Sequence, residues 1–102
     1  MSEENRMTNG IRGEARAVLA GVERTLCLTL GALAEIETAL GTNGFAELAE
    51  RMRSLSARDL VVVLAALLRG GGETELADGL GRSAVDPKEA AEAVATAFSA
   101  AR

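Results

Sequence analysis

Three pairs of carboxylates, one thiol and one glycine run are the features of this sequence whose types and spacing could do chemistry. Glu47 and Glu50 stand three residues apart, as do Glu89 and Glu92, so each pair could share a helix face; Glu35 and Glu37, two apart, could not. A working acid–base pair needs burial or a neighbouring like charge to separate its two pKa values. These carboxylates sit among Arg51, Arg53 and Lys88 in polar stretches, so the expectation is solvated helix surface and no catalytic residue. Cys27 is the single cysteine, which excludes an internal disulfide, and the 102 residues contain no histidine. That removes a Ser-His-Asp triad, an imidazole metal ligand and the usual activator of a thiol. Cys27 is therefore read as a small, semi-buried strand residue. Arg69-Gly70-Gly71-Gly72 would cradle a phosphate only if it led into a helix and carried a lysine. It follows a helix and lacks the lysine, and reads as a helix stop and flexible joint. No catalytic, cofactor-binding or metal-binding residue is expected, no cofactor is implied, and the chain is not read as an enzyme.

Composition narrows the partners. The net charge is −4 and aromatic residues are 2% of the chain, which argues against phosphate-backbone contact and against base stacking. No nucleic acid is expected. No apolar run approaches the roughly 18 residues that a membrane span needs, and the opening MSEENRMTNG lacks a signal-peptide core. The expectation is a soluble, cytoplasmic protein. Residues 1–10 read as a flexible tail and residues 11–102 as one domain.

The hydrophobic rhythm changes within TLCLTLGALAEIETALG, residues 25–41. Leu26, Leu28 and Leu30 alternate as on a strand, whereas Leu33, Ile36 and Leu40 follow helical spacing. A hairpin turning at Ala20-Gly21 would set Leu19 opposite Val22, Ala17 opposite Arg24 and Ala15 opposite Leu26. Its apolar face would gather Ala15, Ala17, Leu19, Val22, Leu26, Leu28 and Leu30, with Arg24 alone out of place. Ile11, Ala15, Val18 and Leu19 fit a helical face as well, so strand and helix both stand for residues 11–20. Thr29 is placed to cap the helix that follows, Gly31 to let it fold tightly back on the hairpin, and Gly41 to end it. Leu30 is expected at the buried centre of this joint, where aspartate would cost several kcal/mol.

Further along, FAELAERMRSL predicts a second helix with Phe45, Leu48, Met52 and Leu55 inward, and Glu47 and Arg51 paired outside. Ser56 and Asp59 form a capping-box pattern, with Leu55 and Leu60 placed as a hydrophobic staple. Leu60–Leu68 is apolar throughout, so the third helix should be central. A short helix over 74–80 should turn Leu76 and Leu80 inward. Asp86, Pro87 and Glu89 start a last helix whose narrow stripe is Ala90, Val94, Ala97 or Phe98, and Ala101. The fold class is α+β: an N-terminal β-hairpin running into a small bundle of four to five helices.

LTLGALAEIETALG (28–41), LSARDLVVVLAALLRGGG (55–72) and DPKEAAEAVATAF (86–98), in that order, resemble the small tail-assembly chaperone family of gene transfer agents and related tailed phages. The resemblance implies a non-enzymatic chaperone that binds the tape measure protein and keeps it soluble until the tail tube polymerises around it. The tape measure protein is then the expected partner, with the tail tube protein a second and a homo-oligomer a third. Val94, Ala97 and Phe98 on the thin terminal stripe are the guessed partner-binding residues. The alternative readings are a structural component of the phage-like tail and a small regulatory binding domain.

Overall fold

A computed structural model of the chain describes residues 14–101; the expected tail at 1–10, together with residues 11–13 and 102, lies outside the described residues. Strand β1 (Glu14–Leu19) pairs antiparallel with β2 (Val22–Cys27), and helices α1 (Leu30–Leu40), α2 (Gly44–Met52), α3 (Ala57–Gly70), α4 (Thr74–Asp78) and α5 (Pro87–Ala100) follow. A 3-10 turn, Leu80–Arg82, separates α4 from α5. The expected α+β class, a hairpin leading into a helical bundle, is the fold observed.

Over residues 14–19 strand wins over helix. Leu19 faces Val22, Ala17 faces Arg24 and Ala15 faces Leu26, the register expected for a turn at Ala20-Gly21. Both turn residues take positive φ, 53° at Ala20 and 84° at Gly21, as a type I′ hairpin requires. Ala20 tolerates that conformation because the turn is tied down: its N–H donates to Glu89 Oε1 at 3.2 Å, across the molecule at the start of α5. The same carboxylate oxygen accepts from the Asp86 N–H, so one side chain closes the α5 capping box and holds the hairpin tip.

The change of rhythm after Cys27 is the strand-to-helix junction. Thr29 caps α1, its hydroxyl accepting the Ala32 N–H at 3.0 Å, and Gly41 ends the helix in the left-handed region at φ 71°. Two expectations at this joint are corrected. Leu30 is 82% exposed, because the first residue after the cap points away from the face that carries Ala32, Ile36 and Leu40 inward. Gly31 has no close neighbour beyond Thr29, so it is not where the chain packs tightly.

The close approach lies at Gly70 and Gly71 instead. A Cβ on Gly70 would stand 2.2 Å from the Cys27 carbonyl oxygen, and one on Gly71 would stand 2.1 Å from the Thr25 oxygen. The glycines expected to form a flexible joint are the surface on which the end of α3 meets β2. Glu73 completes the contact: Oε2 accepts the Thr25 N–H at 2.9 Å and Oε1 accepts from Arg24 Nη1 at 3.0 Å. Arg24, the misplaced charge of the apolar face, is therefore ion-paired at the sheet edge.

Helix α3 is central, as its unbroken apolar run implies. It packs against α1, α4, α5 and β2, with Val63, Leu64, Ala66, Leu67 and Leu68 buried. Its start carries the full Ser56–Asp59 capping box. Arg51, expected to pair with Glu47, instead donates to the Leu40 carbonyl at 3.0 Å and to Asp59 Oδ2 at 2.6 Å, while Glu47 accepts the Asn43 N–H. One guanidinium thus ties α1, α2 and α3 together. No helix among the described residues is long and apolar enough to cross a membrane.

Three outcomes test these contacts in unfolding experiments. Gly71→Ala should lose at least about 2 kcal/mol of stability, because the added methyl meets backbone that cannot give, whereas Gly81→Ala, with nothing near its Cβ, should stay within about 0.5 kcal/mol. Leu30→Asp should also stay within about 0.5 kcal/mol, since an exposed anion in the first turn is favoured by the helix dipole. The Thr25 N–H and then Arg24 hold the Glu73 carboxyl below the usual glutamate range. Its contribution is thus present above the unfolded-state value and is lost as pH falls through the folded one. Glu73→Gln should flatten the acid limb of the stability profile; an unchanged limb would show that the contact contributes nothing.

Candidate functional site: an apolar trough between two helices

The carboxylate pairs do not build a reaction centre. Glu47 is committed to the Asn43 N–H and Glu89 to Asp86 and the hairpin tip, while Glu50 and Glu92 are exposed. Glu47 and Glu50 border a shallow hollow of about 280 Å³ beside Arg51, whose guanidinium is already bonded to Leu40 and Asp59. Cys27 is buried, and desolvation, reinforced by the nearby Glu14, pushes its thiol pKa upward. A thiol shifted that way is less reactive, not more. Among the described residues no cluster of three or more His, Cys, Asp or Glu side chains could hold a metal.

What the fold does build is an apolar trough. Its main part has a volume of about 550 Å³ and is lined by Phe45, Leu48, Ala49 and Met52 of α2, Leu55 and Leu60 around the start of α3, and Ala91, Val94, Ala95 and Phe98 of α5. Every one of these side chains is apolar. A second hollow of about 530 Å³ continues it past Phe45, Ala95 and Phe98 to Leu28, Ser99 and Ala101. The three shared residues make one continuous path along α5, from the staple residues Leu55 and Leu60 to the end of β2.

Each wall has a cause in the sequence. The α5 side is low because alanine recurs at 90, 91, 93, 95 and 97; Ala90, Ala93, Val94 and Ala97 seat this helix closely on the core, leaving Ala91 and Ala95 open. The α2 side is steep. Leu48 anchors that helix in the core while Phe45, 70% exposed, stands at the trough's lip. The helix stops at Met52, short of the Leu55 expected, so Leu55 lies in the connection to α3 with Leu60 beside it in the trough lining.

The guessed contact residues divide between the two sides of the α5 stripe. Val94 and Ala97 are buried; Val94 reaches the trough floor, and Ala97 seats the helix on the core. Phe98 is half-buried and lines both hollows. The sequence reading missed Ala91 and Ala95 as lining and took Phe45 as core. The available signal was the narrowness of the α5 stripe, which is too small in volume to fill the space facing the larger residues of α2.

A comparison with protein families matches residues 12–101 to the family described as phage tail tube protein, GTA-gp10. No curated protein and no solved structure matched the chain significantly. The match takes in the hairpin, all five helices and both walls of the trough. This chain belongs to the GTA-gp10 family of phage tail proteins.

Proposed function

We propose that the protein acts in tail assembly by receiving an amphipathic helix of another tail protein in the trough between α2 and α5, with the tape measure protein as the client. The observation that carries this reading is the trough itself: continuous, open and lined by apolar side chains from Phe45 to Phe98. A contiguous apolar surface of this kind is a docking site far more often than idle surface, and a helix lying in a groove buries it with few polar demands. The resemblance to tail-assembly chaperones supports the same client. The net charge of −4 would suit a more basic client.

A second reading has its own support. The family description names a tail tube protein, and that wording favours a structural subunit retained in the tail over a chaperone. The trough would then be a contact between neighbouring tail subunits. In both readings the protein is a tail component that binds protein and catalyses nothing.

Co-expression with the neighbouring tape-measure candidate, followed by mass spectrometry of purified particles, separates the two. The chaperone reading expects a client that is insoluble alone, is rescued and co-purified by this protein, and is found in particles without it. Ala95→Glu places an exposed charge where both hollows meet and should abolish co-purification while leaving the melting temperature nearly unchanged. Stoichiometric retention in particles would move the assignment to the structural subunit.

A further inference from the structure

Among the described residues, and apart from its tip at Ala20, the hairpin is hydrogen-bonded to other elements along its β2 edge only. The Thr25 N–H leaves the hairpin and bonds to Glu73, so Thr25 and its partner Arg16 form a pair that exchanges no hydrogen bonds across the ladder. The N–H and C=O of Arg16 therefore point out of the opposite edge, and by alternation so do those of Glu14 and Val18. On the β2 edge the outward carbonyls of Thr25 and Cys27 are pressed against Gly71 and Gly70. On the β1 edge, among the described residues, no group bonds these outward positions. The strand there is six residues long and carries no proline, and Val18 is 59% exposed. Helix α5 packs against β1 and holds the hairpin tip, but proline and bulges, common ways of closing an edge, do not appear on β1 among the described residues.

We propose that β1 is a self-association edge on which a second copy of this chain adds antiparallel, joining two hairpins into a four-stranded sheet. The charge pattern selects the partner and the register. Three symmetric registers set two or more of these outward-facing residues opposite one another. One sets Arg16 against Arg16, which is repulsive, and one sets Arg16 against Val18, which gains no charge pair. The third sets Glu14 of each copy against Arg16 of its mate, giving two reciprocal opposite-charge pairs, each exchanging both backbone hydrogen bonds. Arg16 is free to turn toward the mate, because its ion pair with Glu23, at 3.4 Å, is solvent-exposed and weak. This surface lies on the hairpin, away from the α2 side of the trough, so it stands or falls independently of the client.

The test is the molar mass of the full-length protein by light scattering and sedimentation over a wide concentration range. The wild type should dimerise. Arg16→Pro removes an outward donor without touching the hairpin's own ladder, and should leave a folded monomer. Glu14→Arg should raise the dissociation constant at least tenfold, and the exchange Glu14→Arg with Arg16→Glu should restore it, which the Arg16-to-Arg16 register would not do. Circular dichroism confirms that each variant is folded, and the two charge variants keep the test decisive should the proline variant unfold. A wild type that stays monomeric at the highest concentration overturns the proposal, as does a dimer indifferent to these substitutions.

Discussion

Two hydrogen atoms where side chains would otherwise stand decide this fold. At Gly70 and Gly71 the end of the central helix lies against the carbonyls of β2 at a distance that no Cβ permits. The contact turns a two-stranded hairpin, marginal alone in water, into a layer fixed to the most buried helix of the molecule. Glu73, two residues on, then binds the Thr25 N–H and Arg24, which covers one sheet edge and neutralises the one charge on the hairpin's apolar face. Glu89 pins the other end of the hairpin through the Ala20 N–H. With strand and helix locked at both ends, α5 has a fixed surface to lie on.

The trough follows from that placement by a volume argument. Helix α5 is seated by Ala90, Ala93, Val94 and Ala97, all buried, and small side chains permit close approach but cover little of what lies beside them. Helix α2 faces it with Leu48 in the core and Phe45 and Met52 in the trough lining. Arg51, bonded to both Leu40 and Asp59, holds α2 in place from the far side. Interiors pack to crystal-like density, so apolar lining left open on a well-fixed frame is surface available to a partner. An apolar helix entering the trough would supply the volume that the alanine stripe lacks.

Much of this was legible in the residues. The hairpin register, the Thr29 cap, the Gly41 terminator, both capping boxes and the central α3 rest on local rules of alternation, capping and periodicity, and each stands where those rules place it. The misreadings share one cause, which is that periodicity gives a face but not its neighbour. Phe45 has the right spacing for the core, yet lies at the trough lip because the helix opposite is built of alanine. Leu30 continues the strand alternation, but the chain is already turning into α1 after Thr29. Gly31 and the Gly70–Gly72 run were indistinguishable as sequence; which glycine meets a backbone depends on tertiary approach. The pairing of Arg51 with Asp59 rather than Glu47 likewise needed the angle between helices.

The central claim, that the trough receives an apolar helix, is met most directly by hydrogen exchange on the protein alone and bound to the tape-measure candidate. The account predicts new protection concentrated in residues 44–52 and 91–99, with the hairpin unchanged. Protection confined to the hairpin, or a complex that forms with those two segments exchanging as they do in the free protein, would contradict it.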